Sequence, residues 1–288
     1  MKRSILLLCV VRYITQVLCL ICVFVTGAVT AQEVAPQRVK FDFEGNKVVS
    51  TTALREVAAD CVNQRSGSPG RFESGDLDVC LGKIRLFLFG KAYLRATVGK
   101  PRQEETESGL RVIIPVEEGL PYRLGEVKIE GAVLFSYDQI VGMLELERGD
   151  FASGEVLNDW LAQKLKHAYA NHGYIQFTYD LEPHFRPIAS SESEGIVDLS
   201  VSIEEGQVFT IRRIIFRGNS QTSDKLLLSA LLLREGDTFS QEIFDNSIKK
   251  LNQLGLFEDI IRDRDIEWKA PGGASEIDLI FHLKERIH

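Results

Sequence analysis

The feature that most constrains the fold of this chain is a sequence unit that occurs three times. Short runs of alternating apolar and polar residues end at Gly45, Gly131 and Gly218, and these glycines are separated by 131 − 45 = 86 and 218 − 131 = 87 residues. An alternating run places one face of a β-strand on a hydrophobic core. We therefore expect three similar units in series rather than one large domain.

The remainder of each unit follows the same order in all three copies. Two helical patterns follow the first strand, and the second helix ends near Gly90, Gly173 or Gly255, because a left-handed glycine commonly terminates a helix. An extended run comes next, and then a strand in which apolar and polar residues alternate strictly. The inward residues of this last strand are Leu110, Val112, Ile114 and Val116, then Val197, Leu199, Val201 and Ile203, and then Ile277, Leu279, Phe281 and Leu283.

This order predicts the fold class. We expect an α+β protein of three tandem β-α-α-β-β units, each a three-stranded mixed sheet with two helices on one face. The units are expected at residues 37–121, 122–207 and 208–288. The first two end in glutamate pairs, Glu117-Glu118 and Glu204-Glu205, which we interpret as solvated strand ends.

The first 31 residues have the pattern of an export signal. Lys2 and Arg3 precede two apolar stretches, and small residues up to Ala31 precede Gln32. This order predicts a signal peptide that is cleaved between Ala31 and Gln32. An uncleaved inner-membrane anchor is the alternative, but Arg12 interrupts an apolar segment that would need about 20 residues to span a bilayer.

Removal of the signal peptide leaves two of the five cysteines in the chain, Cys61 and Cys80. An even number of cysteines in an exported protein favours a disulfide. The alternative is a pair of buried free thiols. We expect the disulfide.

Composition and motifs argue against nucleic-acid binding and catalysis. The chain has 34 basic and 41 acidic residues and a formal net charge of −7, whereas nucleic-acid affinity requires clustered Lys and Arg. His167 and His172 are five residues apart, a spacing that does not align two metal ligands on one helix face. The sequence has no nucleophile elbow, phosphate loop or His-Glu-x-x-His helix, so we expect no enzyme, no metal and no cofactor.

One tripeptide has the sequence of a cell-adhesion motif. It is Arg148-Gly149-Asp150, and its counterpart in the next unit is Glu235-Gly236-Asp237. Because the pattern repeats without its arginine, it indicates an ordinary turn.

Several of these motifs together resemble the POTRA (polypeptide-transport-associated) domain. The resemblance depends on the strand ends Phe43-Glu44-Gly45-Asn46 and Phe216-Arg217-Gly218-Asn219, the junctions Gly173-Tyr174 and Leu254 to Ile260, and the Glu-Glu-Gly sequences. The arrangement is similar to the periplasmic POTRA array of BamA-type outer-membrane assembly factors. Members of that family continue into a membrane barrel, whereas this sequence ends at His288, so we expect a stand-alone POTRA protein or the N-terminal fragment of a longer one.

The resemblance implies that the strand after each helix pair is an exposed sheet edge. The backbone of an extended peptide can pair with such an edge whatever its side chains are. The implied binding residues are Tyr93, Leu94, Arg95 and Ala96, then Tyr174, Ile175, Gln176 and Phe177, and then Phe257, Glu258, Asp259 and Ile260.

The resemblance thus predicts a non-enzymatic periplasmic scaffold that binds polypeptides during outer-membrane protein assembly or secretion. Its expected partners are outer-membrane β-barrel proteins, subunits of an assembly complex and unfolded client polypeptides. Association with the outer membrane would occur through a partner. The alternative is an inner-membrane scaffold that is anchored by residues 1–31 and resembles bitopic cell-division proteins.

Overall fold

The computed structural model describes residues 39–65, 74–188, 191–271 and 275–286. The predicted signal peptide and its cleavage site at Ala31 and Gln32 lie outside these residues. The described chain contains three sheets, and each has helices packed on it. The predicted α+β fold of three tandem units is therefore confirmed.

Unit 1 has a sheet whose edge strand is interrupted. Its elements are β1 (Val39–Glu44), α1 (Thr51–Arg65), α2 (Ser74–Gly90), β2 (Thr97–Val98), β3 (Arg102–Thr106) and β4 (Gly109–Glu117). The central strand β4 pairs in parallel with β1 and antiparallel with both β2 and β3. The expected third strand is thus divided into two pieces, and the sheet has four strands instead of three.

Unit 2 has the longest edge strand. Its elements are β5 (Tyr122–Glu130), α3 (Tyr137–Gly142), α4 (Gly154–Asn158), a π-helical segment (Asp159–Leu165), α5 (Lys166–Ala170), β6 (Thr178–Ile188) and β7 (Ser191–Glu204). The segments from α4 to α5 follow one another without a break and form the second helix of the unit. The central strand β7 lies between β5 and β6.

Unit 3 repeats the arrangement with a short edge strand. Its elements are β8 (Thr210–Arg217), α6 (Asp224–Ala230), α7 (Gln241–Gln253), α8 (Arg262–Asp265), β9 (Ile266–Lys269) and β10 (Glu276–His282). The central strand β10 pairs in parallel with β8 and antiparallel with β9.

Each unit has its own hydrophobic core between its sheet and its helices. All twelve residues predicted to point inward from the last strands are buried. In unit 2 the indole Nε1 of Trp160 donates to the carbonyl oxygen of Ile140 at 2.9 Å and joins the two helices inside the core. Alternation in the sequence therefore identified the buried face of every central strand.

The repeated glycines mark a close approach of two parallel strands. Gly131 has a φ of 82°, and a Cβ at this position would overlap the carbonyl oxygen of Ile203 on the neighbouring central strand. Gly45 and Gly218 have positive φ values and the same environment. Only glycine fits such a position without strain, which explains the period of the repeat.

The end of the second helix differs from the prediction in unit 1. Gly90 is the last helical residue, and Ala92 adopts the left-handed conformation with a φ of 65°. Gly173 and Gly255 hold the corresponding positions in the other units, with φ values of 87° and 69°. The predicted glycine was therefore two residues too early, and an alanine bears the left-handed strain.

Candidate functional site

The strand after each helix pair forms one edge of its sheet, because the last strand occupies the centre. The predicted edge residues, however, lie before these strands. Tyr93 to Ala96 and Tyr174 to Phe177 form turns. Phe257 forms an isolated antiparallel bridge with Glu285, and Glu258 to Ile260 lie in a loop that precedes α8. The predicted binding residues therefore lie just before the edge strands and not within them, and among them Phe257 makes a bridge to the segment after the central strand.

The physical reason is the way in which the helix is terminated. After the left-handed residue, the amide of Tyr174 donates to the carbonyl oxygen of Tyr169 at 3.1 Å, and the amide of Phe177 donates to Tyr174 at 3.2 Å. Tyr93 and Ala96 make the corresponding bonds in unit 1. These turns use the backbone groups that an incoming strand would need.

Most of the apolar residues in the predicted set belong to cores. Tyr93, Phe177, Phe257 and Ile260 are buried in their own units. Leu94 and Ile175, in contrast, pack against the core of the following unit. The exposed members of the set are Arg95, Gln176, Glu258 and Asp259, while Ala96 and Tyr174 are half-buried.

The same backbone hydrogen bond connects each unit to the next. The amide of Tyr122 in unit 2 donates to the carbonyl oxygen of Ala92 in unit 1 at 3.0 Å. The amide of Phe209 in unit 3 donates to the carbonyl oxygen of Gly173 in unit 2 at 2.9 Å. In both cases the acceptor is the left-handed residue after the second helix, so this residue positions the start of the following unit.

Side chains strengthen both junctions. The guanidinium of Arg95 lies 5.5 Å from the centre of the Phe185 ring in unit 2, a geometry that permits a cation–π interaction. At the second junction, the side-chain oxygen of Asn171 accepts a hydrogen bond from the amide of Glu242 at 2.8 Å. This amide lies in the first turn of α7, where backbone donors lack partners inside the helix.

The three edge strands differ in length and continuity. In unit 2, β6 has eleven residues and pairs with β7 from Thr178 to Pro187 without a register shift. The edge of unit 1 is divided into strands of two and five residues, and β9 in unit 3 has four. Among the described residues, β6 has no strand partner on its outer side. It is the longest open edge in the described chain.

Two prolines define which backbone groups of β6 are available. Pro183 and Pro187 lack an N–H, and the ladder with β7 remains in register across the first of them and up to the second. We infer that both face the unpaired side, where a proline interrupts no ladder bond. Tyr179, Leu181 and Phe185 share this parity, so the open edge presents donors at these residues and none at the prolines.

A turn covers the outer edge at the beginning of β5. The amide of Leu124 donates to the carbonyl oxygen of Asp150, and the amide of Gly149 donates to that of Leu124, both at 2.8 Å. Asp237 and Gly236 make the same pair of bonds to Ile211 in unit 3. The prediction that Arg148-Gly149-Asp150 is an ordinary turn is confirmed, and the turn protects a strand edge.

A glutamate at the end of each last strand fixes the loop after the first strand. Glu205 Oε1 accepts hydrogen bonds from the amides of Val133 and Leu134 at 2.7 and 2.8 Å and from the hydroxyl of Tyr169 at 2.8 Å. Glu118 accepts from the amides of residues 47 to 49. Glu285 accepts from those of residues 221 and 222. Glu118 and Glu205 are therefore not the solvated strand ends that the sequence suggested.

The repeat contained a signal for this role. Glu117-Glu118 and Glu204-Glu205 stand at the ends of the last strands of units 1 and 2, and Lys284-Glu285 follows β10 in unit 3. Only the second position is a glutamate in all three units. Burial alone would raise the pKa of Glu205, but its hydrogen bonds outweigh this effect and hold the pKa below its usual value. The pKa of Glu285 is lowered in the same way.

No disulfide joins Cys61 and Cys80 in this structure, and both side chains are buried. The Cys61 thiol lies 3.3 Å from the carbonyl oxygen of Val57, and the Cys80 thiol lies 3.9 Å from that of Ala58. Both thiols therefore contact the backbone of α1. An even cysteine count indicates that pairing is allowed, but it carries no information about side-chain direction.

Within the described ranges, no group of three or more His, Cys, Asp and Glu side chains has the geometry to hold a metal ion. His172 Nδ1 lies 2.9 Å from the carbonyl oxygen of Ala168, and His167 Nδ1 lies 3.4 Å from the side-chain nitrogen Nδ2 of Asn171. In the same part of the chain, no helix has the length and apolarity needed to cross a membrane.

Comparison with known proteins gives matches over most of the chain. The POTRA family model, described as surface antigen variable number repeat, matches residues 122–206 and 209–286. A candidate outer membrane protein assembly factor of Treponema pallidum is 24% identical over 254 residues, which are 86% of this chain and 29% of that protein. The outer membrane protein assembly factor BamA of Nitratidesulfovibrio vulgaris is 24% identical over 257 residues, 86% of this chain and 31% of that protein.

The fold has a counterpart among solved structures. The crystal structure of POTRA domains 3–5 of Haemophilus influenzae BamA superposes with a TM-score of 0.66 at 21% identity, and the match covers 86% of this chain and 96% of that one. The chain spans about 30% of the length of the two curated relatives.

Proposed function

This chain belongs to the POTRA family, and from that premise we propose that it is a non-enzymatic scaffold that takes part in the assembly of outer-membrane proteins. The proposed location is the periplasm, at the outer membrane. The curated relatives are outer-membrane assembly factors by name. The proposed partners are unfolded outer-membrane β-barrel proteins and the subunits of an assembly complex.

The observation that supports a binding role is the open edge of β6. A strand with no partner on one side can accept an extended segment through backbone hydrogen bonds. The eleven residues of β6 are enough to pair with a whole strand of average length. Membrane barrel strands alternate in polarity, so a client strand would place its apolar side chains on one face of the enlarged sheet.

The edge also limits what it accepts. Tyr179 and Leu181 provide two successive outward N–H donors on the open side. Beyond them, Pro183 and Pro187 have no N–H, so Phe185 is the one outward donor left in the second half of the ladder. Prolines on an edge strand are a known protection against indiscriminate pairing. We therefore place the principal client contacts in the first half of β6.

Photocrosslinking along one row of the sheet tests this proposal. Asp180 on β6, Ser202 on β7 and Glu130 on β5 lie side by side in register, and all three side chains are exposed. A photoreactive residue at each position, with a urea-denatured outer-membrane barrel protein diluted into the sample, should crosslink most strongly at Asp180, less at Ser202 and least at Glu130. The reverse order would assign the client to the β5 edge, and equal weak labelling would refute edge binding.

A further inference from the structure

An apolar pocket lies where units 1 and 2 meet, directly beside the open edge. Its volume is about 180 Å³. Phe89 and Leu94 of unit 1 form one wall, and Leu157 and Leu161 of the second helix of unit 2 form another. The third wall is the helix-facing side of β6, with Leu181 and Phe185. Two units thus build one pocket at the strand that we propose as the client site.

The docking of unit 1 creates this pocket. The Phe89 ring packs so closely on Gly154 that a Cβ at residue 154 would overlap it. Arg95, which also belongs to unit 1, lies over the Phe185 ring. The pocket therefore depends on a glycine at the start of α4 and on the fixed position of the preceding unit.

The geometry of strand addition directs a client side chain toward this pocket. Residues directly opposite each other on paired strands have Cβ atoms about 5 Å apart on the same face of the sheet. A strand added to β6 would place every second side chain on the face of Leu181 and Phe185, because side-chain direction alternates along a strand. The side chains on that face meet the pocket, and those of the other parity point away from it.

The size and polarity of the pocket select the side chain. An apolar cavity of about 150 Å³ in another protein is large enough to bind benzene, so 180 Å³ accommodates one aromatic ring. Asn158, at the rim, is the sole amide or charged side chain among the lining residues. We propose that this pocket selects client segments that carry an aromatic side chain at one position of the added strand. The inference rests on the proposed function, since it requires a strand at the β6 edge.

Binding of a labelled peptide series to the purified chain tests the inference. Each peptide has alternating apolar and polar residues, and a central guest position on the apolar face holds Phe, Leu or Ala. The pocket would remove the apolar surface of a phenyl ring from water, and an alanine side chain has much less such surface to bury. The Phe peptide should therefore bind about 10- to 100-fold more tightly than the Ala peptide. Moving the Phe by one residue should abolish the gain, because it then faces the other side of the sheet.

Two variants of the second helix of unit 2 separate pocket filling from a general increase in apolarity. Asn158 is exposed at the rim, so Asn158→Phe should fill the pocket and remove the preference for the aromatic guest. Gln163 is exposed and does not line the pocket, so Gln163→Phe should retain the preference.

Three outcomes would overturn the inference in distinguishable ways. Equal affinity for the Phe, Leu and Ala peptides would refute the selective pocket but leave edge binding intact. Failure of every peptide to bind would refute the proposed edge function as well. A dimer of the free chain in light scattering that Asn158→Phe dissociates would assign the pocket to a second copy of the chain instead of a client.

Discussion

Units 2 and 3 share a topology and a core pattern but differ at the edge. In unit 2 the central-strand carboxylate of Asp198 pairs with Arg186 on β6, at 2.6 Å, and this pair holds the far end of the open strand. In unit 3 the corresponding Asp278 pairs with Arg212 and Arg213 on β8, at 2.6 and 2.8 Å. Asp198 also accepts a hydrogen bond from the amide of Glu126 on β5 at 2.7 Å. The same position on the central strand therefore holds the first strand in both units, and in unit 2 it holds the open edge strand as well.

The path to the edge strand also differs between the two units. In unit 2 the chain enters β6 within a few residues of Gly173. In unit 3 it first forms a loop, in which the side chain of Asn252 bonds both the amide and the carbonyl of Ile260, and then the short helix α8. The cores must keep their pattern because they hold the units together, whereas the length of the edge is free to change.

The largest expected effect tests whether Gly131 and Gly218 have the same structural role in their two units. Gly131→Ala and Gly218→Ala each place a Cβ against a neighbouring carbonyl at positive φ, so each should lower the free energy of unfolding of its unit by about 2–5 kcal/mol. Chemical denaturation of the two variants would measure this loss of unfolding free energy. Gly142, where a Cβ meets open space, provides the control in Gly142→Ala. A loss in one unit alone would contradict the shared role.

The second prediction concerns the two central-strand aspartates at low pH. Arg213 and Arg212 lower the pKa of Asp278 from 3.8 to about 2. A lowered folded-state pKa contributes stability above the unfolded pKa, and this stability is lost as the pH falls from about 4 to 2. Asp278→Asn should therefore lower the unfolding free energy at pH 7 by about 1.5 kcal/mol and flatten the acid dependence of unit 3.

The matched variant in unit 2 is Asp198→Asn. Its partner Arg186 is half-exposed, so the loss should be below about 1 kcal/mol. Thermal unfolding of the Asp278→Asn and Asp198→Asn variants between pH 2 and pH 7 would measure both losses of stability. If Asp198→Asn destabilised the protein more than Asp278→Asn, the ion pair at the open edge of unit 2 would contribute more stability than the buried ion pair of unit 3.

The third prediction separates binding from folding on β6. Leu181→Pro removes an outward N–H as well as a half-buried side chain, whereas Leu181→Ala removes only the side chain. Both should destabilise unit 2 and remove one wall of the pocket, but the proline should weaken peptide binding by about a further fivefold to tenfold for one lost hydrogen bond. Equal affinities of the two variants in a titration would place the client elsewhere.

The last prediction concerns the junction between units 1 and 2. Ala92→Gly relieves the left-handed strain at the residue whose counterpart in unit 2 is already a glycine, and it should raise the unfolding free energy by about 1 kcal/mol. The reverse change, Gly173→Ala, should destabilise the second junction, where a Cβ would approach Thr238 to 2.8 Å. The melting temperatures of the two variants should therefore move in opposite directions.

The sequence was most informative where the repeat constrains the core. The central strands, the left-handed glycines Gly173 and Gly255 and the Arg148-Gly149-Asp150 turn could be predicted, since each depends on local pattern and on comparison between copies. The edges could not be located, because Tyr174, Ile175 and Phe177 have the apolar pattern of a strand while packing into two different cores.

Contacts between residues that are far apart along the chain could not be predicted from the sequence either. Phe89 and Phe185 line one pocket although they are separated by 96 positions, 185 − 89, and no local pattern connects them. Glu118 was misinterpreted for the same reason, since its partners are residues 47 to 49 at the other end of the unit.

The hydrogen bond between successive units has an evolutionary consequence. Donor and acceptor at both junctions are main-chain groups, the amides of Tyr122 and Phe209 and the carbonyls of Ala92 and Gly173. A junction of this kind places few demands on side-chain identity, provided that the left-handed conformation is kept. Units of this fold can therefore be duplicated, deleted or recombined with limited adaptation at the joints, while each edge strand diverges toward its own partner.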